Sequence, residues 1–541
     1  MRNFPLRYLT FMIVATMFAL SLVLALMGYS DWWLAVISGA LTAVGMADMM
    51  QTRRSILRNY PILAHFRFFF ESIRPEIRQY FLEDETSANP FSRAQRSIVY
   101  QRAKQQLDKR AFGTQLDVYQ TGYEWINHSI VPAKLESHDF RITVGATRAQ
   151  PYSASVFNIS AMSFGALSAN AIRALNQGAQ RGRFMHDTGE GSISRYHRPD
   201  DPNDAGGDLM WEIGSGYFGC RNPDGSFSAE RFTANATLPQ VKMIEVKLSQ
   251  GAKPGHGGVL PGAKVTAEIA AARGVVAGVD CVSPASHSAF DTPIGLLRFV
   301  DNLRTLSGGK PTGFKLAMGH PWEFFGIAKA MLETGITPDF IVVDGGEGGT
   351  GAAPVEFTDH VGAPLQEALL LVHNTLVGIG LRDQVKIGAS GKIVTAFDIA
   401  RTLALGADWC NSARGFMFAL GCIQSHSCHT GKCPTGVTTQ DPLRQRALVI
   451  PDKAERVSHF HQNTLKALAE LISAAGLSHP SQLKPHHLVR RVSQEQVKLA
   501  ATLLTYLESG QLLDSAQLAQ LPAVFGKYWP IARAESFHPI L

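Results

Sequence analysis

The chain has 541 residues, with 45% hydrophobic and 18% charged side chains and a net charge of +6. It is too long for one ordinary domain and too apolar for disorder, and it carries no Lys/Arg stripe interleaved with aromatics, which argues against nucleic-acid binding. Six cysteines without paired spacing argue against a secreted disulfide scaffold.

Residues 11–28 read FMIVATMFALSLVLALMG without a charge, and a second apolar run, residues 32–47, follows the link Tyr29-Ser30-Asp31. Runs of about 18 apolar residues suit a bilayer span; the second reaches that length only with its flanks. Trp32 and Trp33 sit where an interfacial aromatic belt would lie. Arg2 and Arg7 precede the first run, and Arg53, Arg54 and Arg58 follow the second. The positive-inside rule then predicts a hairpin in the inner (cytoplasmic) membrane, multi-pass, with both ends and the catalytic part in the cytoplasm. A cleaved signal peptide and a buried helical hairpin are the alternatives. The second run with its basic stop argues against the first, and the scarcity of polar interruptions against the other. Residues 1–56 are thus expected to be a membrane anchor.

Residues 57–150 are mixed, aromatic and charged, and are expected to form a helical extension packing on a barrel. Within them RAQRSIVYQRAKQQLDKRAFG reads as a helix ended by Gly113. From about residue 157 eight short apolar runs end in glycine or polar residues: FNISAMSF, FMHDTGEG, MIEVKLSQG, VDCVSPAS, TGFKLAMG, DFIVVDGG, QVKIGASG and DWCNSARG. Helical patterns over residues 168–182, 293–306, 321–334 and 392–405 separate several of them. Short buried strands alternating with helices mean parallel βαβ units, and eight units in about 250 residues predict an α/β fold, a TIM (β/α)8 barrel over residues 151–445. An insertion between the second and third runs, WEIGSGYFGCRNPDGSFSAERF, predicts a β-hairpin at its Pro-Asp-Gly turn. Residues 446–541 are expected to be helical; SHFHQNTLKALAELISAAG has amphipathic spacing and a glycine stop. Its histidines, and His486 and His487, read as surface or packing residues.

In such a barrel the active site lies at the C-terminal strand ends, and phosphate is often held after strands seven and eight. Those ends are Gly388-Ala389-Ser390-Gly391 and Ser412-Ala413-Arg414-Gly415. Glycine lets backbone N–H groups close on phosphate oxygens, and Arg414 adds a charged donor; glycines that merely turn the chain are the plainer alternative. Gly346, Gly348 and Gly351 satisfy G-x-G-x-x-G after a strand, but Pro354 interrupts the helix a dinucleotide fold needs. Lys315 is expected to point along the barrel axis, beside a bound cofactor or in an ion pair with a neighbour such as Asp344.

The run GCIQSHSCHTGKCPTGVTTQDP holds Cys422, Cys428 and Cys433 as C-x5-C-x4-C, with Pro434 after the last. Clustered thiolates select iron–sulfur clusters, zinc or copper(I). Three thiols followed by proline favour an iron–sulfur cluster; zinc stays open, because His426 and His429 could complete a tetrahedron. Cys220, Cys281 and Cys410 read as packing residues.

This loop resembles the cluster loop of the FMN-containing synthase domain of glutamate synthases, where three cysteines at this spacing hold a 3Fe–4S cluster. NISAMSFGALSANAIRALNQGAQRG resembles the same family's first strand and helix, HDTGEGS its TGEGG element, EVKLSQGAKPGHGGVLPGAKV its KxxQGAKPGxGGxLPGxKV signature and DGGEGGTGAAP its DGGTGA loop. Together these cover residues 150–445 in the family's order.

The resemblance implies a barrel with FMN against Ala161, Met162, Ser163, Lys315, Gly345, Gly346, Gly349, Thr350, Ser390, Gly391, Arg414 and Gly415, and a 3Fe–4S cluster on Cys422, Cys428 and Cys433. Lysine near a flavin stabilises negative charge on the reduced ring. The implied reaction is reductive amination of a 2-oxo acid, 2-oxoglutarate with ammonia giving glutamate. Lys247, Lys253 and Arg273 would hold the dicarboxylate and Glu190 would lie near the imine. Electrons would come from a ferredoxin or a separate reductase subunit.

Two departures stand out. Val259 and His256 occupy positions where the family usually has glutamine and an acidic residue. The family's N-terminal glutaminase with its cysteine nucleophile is replaced by the apolar hairpin, and no cysteine precedes Cys220. The chain therefore resembles stand-alone synthase-domain members, which include a subunit of N-methylglutamate synthase. Another amine or oxo acid, or an electron-relay role without a substrate, are the alternatives.

Overall fold

The structure, a computed structural model, describes residues 6–86, 89–199 and 204–540; Arg2 lies outside them. The chain divides into two compact units, residues 1–88 and 89–541.

In the first unit α1 (Leu9–Leu26) and α2 (Trp32–Met50) form a hairpin turned at Gly28, whose φ of 78° suits glycine. Small residues line the faces that meet: Ser21 and Ala25 on α1, Ala35, Ser38 and Gly45 on α2. Ser21 and Ser38 share a 3.2 Å hydroxyl hydrogen bond, and a Cβ on Gly45 would come within 2.4 Å of the Phe11 ring. Leu20, Val36 and Ile37 face outward and are exposed. Small residues inside and large apolar ones outside invert the pattern of a water-soluble hairpin. Both helices are long and apolar enough to cross a membrane by length and composition. A short helix, Ser55–Asn59, leads to α3 (Ala64–Ile77).

In the second unit eight parallel strands close a barrel: β1 (Phe157–Ile159), β2 (His186–Asp187), β3 (Leu209–Ile213), β4 (Val241–Lys247), β5 (Thr312–Leu316), β6 (Phe340–Asp344), β7 (Lys386–Ser390) and β8 (Trp409–Ser412). The expected barrel stands, with one strand reassigned. β3 falls at the edge of the expected insertion, and VDCVSPAS is not a barrel strand. Its Cys281–Val282 pairs antiparallel with Val259–Leu260 outside the barrel. Burial explains the exchange: all five residues of β3 are buried, whereas Val279 and Val282 are exposed. The Pro-Asp-Gly turn does close a small hairpin, bridged from Arg221 to Phe227.

The helices Ala169–Gly182, Pro293–Leu306 and Pro321–Thr334 match their patterns, and the C-terminal one extends over Ile450–Ala474. The helix expected to end at Gly113 spans only Arg93–Ala103, started by a Ser92–Gln95 capping box. The polar run after Ala103 offers no apolar face to bury. The pattern over 392–405 narrows to Ala396–Ala404, because Thr395 and Asp398 form a capping box.

The barrel interior is layered. Met185, Met210, Met243, Phe340, Val342 and Trp409 fill its lower part, closed by Val144, Tyr152 and Ala154 of an antiparallel hairpin. Two residues further along three of these chains stand Asp187, Glu212 and Glu245, so the filling changes from apolar to charged in one step. Gly388 makes room for the Trp409 indole: a Cβ there would lie 2.5 Å from the ring. Gly388→Ala should therefore destabilise the protein by about 1–3 kcal/mol through overpacking, read by denaturant unfolding. Gly319→Ala, whose Cβ would meet only the Glu323 carboxylate at 3.9 Å, should stay close to neutral.

Candidate active site

Loops after the strands enclose one cavity at the C-terminal end of the barrel. Its lining includes Ala161, Met162 and Ser163 after β1, Gly349 and Thr350 after β6, and Ala413 and Arg414 after β8. It also includes Glu190 after β2, then Lys247, Gln250, Lys253, Lys264 and Arg273, with Val259 and Leu260 as an apolar strip. Cys428 and His429 reach the same cavity from the loop after β8. Five cationic side chains thus line it, against the carboxylates of Glu190 and Glu212.

Glu190 is the electrostatic centre of the group formed with Lys247, Lys253 and Arg273. Its carboxylate lies 3.0 Å from Lys247 Nζ. Burial opposes its charge, but Lys247, then Arg273 and Lys253, outweigh burial and hold its carboxyl below the ordinary value. Gly258 and Gly214 give it space, since a Cβ on Gly258 would meet Glu190 Oε1 at 2.4 Å. Burial, and then the like charge of Lys247, lower the Lys253 ammonium against the pull of Glu190. Arg273 is buried, donates to Phe164 O at 3.2 Å, touches Cys281 Sγ at 3.7 Å and lies over the Phe218 ring.

Beneath the cavity Lys315 occupies the middle of the charged layer. Its ammonium contacts Glu212 and lies 3.3 Å from Glu245 Oε1. It does not itself line the cavity; its partner Glu212 does. Burial opposes its charge, yet Glu212, Glu245, Asp187 and Asp344 hold its proton firmly. Three buried carboxylates against one ammonium leave an excess of negative charge, so protons are retained. Burial and then Glu212, against Lys315, push Asp187 up to about 7, and burial likewise raises Glu245 well above its ordinary range.

Asp344 ends β6 and joins neighbouring loops. It accepts from Gly251 N–H at 2.8 Å and from the Ser390 hydroxyl. Gly251 is required there, since a Cβ would lie 1.8 Å from Gly345 O. Of the expected cofactor residues, Ala161, Met162, Ser163, Gly349, Thr350 and Arg414 line the cavity; Gly345, Gly346, Ser390, Gly391 and Gly415 are not among its lining residues. The Glu347 carboxylate, which accepts from Leu365 N–H at 2.9 Å, stands over Gly345 and Gly391. Arg414 donates to Thr350 O at 3.2 Å and has no carboxylate partner among the described residues. His256 bonds Gly257 O at 2.7 Å and does not line the cavity. Gln250, Lys264 and Glu212 escaped the sequence reading. Gln250 and Lys264 lie inside the quoted QGAKPG and PGAKV motifs, and that was their only signal.

All six cysteines are free thiols. Cys422 and Cys433 are buried, and Cys428 is half-buried, its carbonyl accepting from Lys264 Nζ at 3.2 Å. Burial raises the Cys433 thiol, but hydrogen bonds from Thr435 and Thr438 outweigh it and bring it down to about 7. Burial pushes Cys422 up to about 11. Among the described residues only Asp187, Glu212 and Glu245 bring three ligand atoms within 4.8 Å of one another. Lys315 already supplies the positive charge within the carboxylate set.

The conserved region in glutamate synthase matches residues 105–478. The chain is 36% identical to the glutamate synthase large subunit-like protein YerD of Bacillus subtilis (strain 168), over 87% of this chain and 96% of that protein. It is 36% identical to the archaeal glutamate synthase [NADPH] of Methanocaldococcus jannaschii, over 60% of each chain. With the glutamate synthase [NADPH] large chain of Bacillus subtilis it shares 33% identity over 61% of this chain and 21% of that one. It thus spans nearly all of YerD but about 60% of the archaeal protein.

The charged layer gives a pH prediction. Between the ordinary carboxyl value of 3.8 and about 7, native Asp187 keeps a proton that the unfolded chain releases. Stability should fall as pH rises through that window and level off above it. Asp187→Asn keeps an acceptor for the Gly189 N–H, which now lies 3.0 Å from the carboxylate. The variant should gain stability over the parent from pH 5 to pH 8 in urea unfolding. A pH-independent difference would refute the assignment.

Proposed function

The chain belongs to the glutamate synthase family, and from that premise we propose that it is a membrane-anchored oxidoreductase that reductively aminates a 2-oxo acid, using FMN, an iron–sulfur cluster and an external electron donor. The observation that carries this is one cavity, lined by five cations, to which both Arg414 and the cysteine loop contribute.

The residues fit an FMN site. Arg414 has charge to spare for a phosphate, and Gly349 leaves a Cβ-sized gap 3.2 Å from its guanidinium. Ala161–Ser163 and Gly349–Thr350 supply backbone and small side chains for close approach of a planar ring. Bound there, FMN supplies hydride transfer. Cys422, Cys428 and Cys433 are the thiols that would hold a cluster, 3Fe–4S by the family resemblance. Cys433, its thiol brought down to about 7, is already poised to ionise.

The remaining roles are this chain's own. Lys247, Lys253 and Arg273 bind the carboxylates of the oxo acid, as a dianion requires. Glu190, kept ionised by them, accepts a hydrogen bond from the amine nitrogen and orients it toward the carbonyl carbon. Lys253, whose ammonium is lowered by burial, is the readiest proton donor in that group. Electrons come from a ferredoxin or a separate reductase subunit through the cysteine loop. The α1–α2 hairpin holds the protein in the inner (cytoplasmic) membrane, with both ends in the cytoplasm by the positive-inside rule.

Val259 favours a second reading of the substrate. Its side chain is 43% exposed and lines the cavity beside Leu260, where a polar residue would bind polar atoms. An alkylated amine, as in N-methylglutamate synthesis, or a less polar oxo acid suits that strip.

Purified full-length protein should carry FMN and iron, and absence of both would refute the proposal. Cys428→Ser should lose iron and electron input while keeping FMN; Cys281→Ser should keep iron. With chemically reduced enzyme, flavin reoxidation by panels of oxo acids and amines reads the substrate. If the alkylated-amine reading holds, Val259→Gln should raise efficiency with ammonia and 2-oxoglutarate by about three- to tenfold, the worth of one hydrogen bond. Reduced flavin that no imino acid reoxidises would favour an electron-relay role instead.

A further inference from the structure

α3 presents an apolar stripe that the hairpin does not use. Phe66, Phe69, Phe70, Ile73 and Ile77 recur at i, i+3, i+4, i+7 and i+11, the period of one helical face. Phe66, Phe69 and Phe70 are more than half exposed, and the turn that follows, Arg78–Leu82, adds exposed Tyr80, Phe81 and Leu82. A row of exposed aromatics of this size is uncommon on a water-facing helix.

Two observations say what covers it. The first is where α3 begins. Asp48, buried in the last turns of apolar α2, accepts from Ile62 N–H at 2.9 Å and lies 2.9 Å from His65 Nε2. Arg54 stacks on the Phe68 ring at 4.3 Å. These contacts clamp the first turn of α3 to the end of α2. If α2 spans a bilayer, that end lies at the boundary between acyl chains and headgroups. The second is charge: residues 53–82 hold six arginines and two glutamates, a net +4. Arg67, Arg74 and Arg78 follow one another along the side flanking the aromatic stripe, and Arg67 pairs with Glu71 at 2.9 Å. An apolar aromatic face beside a basic one is the composition of a helix lying in an anionic lipid interface.

We propose that α3 is an interfacial helix, lying along the headgroup layer of the leaflet from which α2 emerges, with Phe66, Phe69, Phe70, Ile73 and Ile77 in the acyl boundary and its arginines on lipid phosphates. This rests on reading α1 and α2 as membrane spans, and the test separates the two. Full-length protein is placed in nanodiscs of phosphatidylcholine with or without phosphatidylglycerol. A photoreactive benzoylphenylalanine stands at Phe69 or Phe70, or at Ser72 off the stripe, and cross-linked products are identified by mass spectrometry. Lipid adducts at 69 and 70, at least fivefold over those at 72 and stronger with phosphatidylglycerol, are expected. Adducts to residues 89–541 or to a second copy, or equal lipid labelling at all three positions, would overturn the proposal. Alkaline extraction of cell membranes reads the spans separately: released protein refutes the hairpin, whereas the cross-linking pattern reports on α3.

Discussion

The structure turns on one ammonium inside a barrel. Lys315 stands among Asp187, Glu212 and Glu245, all nearly inaccessible to water. A charge so placed is tolerable only with close partners, and three carboxylates together are tolerable only if protons or a cation offset them. Lys315 therefore fixes four strands in register as well as in charge: β2, β3, β4 and β5 each contribute one member. Below it the barrel is packed with methionine and aromatic side chains; above it lies the cavity. Glu212 belongs to both, so the polar floor of the site and the rigidity of the barrel share one cause.

Above that layer the loops hold one another. Asp344 ties the loop after β4 to Ser390 of β7, and it does so through Gly251, where no side chain fits. The Arg414 guanidinium reaches Thr350, so the loops after β6 and β8 close together. Lys264 holds the Cys428 carbonyl, and both residues line the cavity. The cysteine loop is thereby part of the cavity wall, and any redox group it held would sit against the groups that bind anions.

Much of this was legible in the sequence, for identifiable reasons. Six of the eight strand–loop units announce themselves as short apolar runs ending in glycine, a pattern that burial on both faces imposes. β3 hid because its interior residue is Glu212, a charge that looks like a loop until Lys315 is seen opposite it. VDCVSPAS misled because valine has strand propensity whether or not the strand is buried. The site residues Glu190, Lys247, Lys253 and Arg273 were legible from their motifs and do line one cavity. Gly345, Gly391 and Gly415 are cofactor residues by the family resemblance, and each also stands where neighbouring side chains crowd. Leu365 and Glu347 crowd Gly391, and Phe460 crowds Gly415. Sequence reports that a Cβ is missing, not which neighbour needs the space.

Asp187 and Glu190 show most directly how place decides chemistry. They are two carboxylic acids three residues apart, on the end of one strand and the loop that follows. Asp187 points into the barrel, where burial and the Glu212 carboxylate outweigh the Lys315 and Lys247 ammoniums, and its affinity for a proton rises. Glu190 points into the cavity, where three cations outweigh burial, and its affinity falls. The proton thus sits in the lower layer and the negative charge in the upper one. Residue type alone would make either of them a general acid. With Lys247 at 3.0 Å, Glu190 is unsuited to donate a proton at neutral pH and well suited to accept a hydrogen bond.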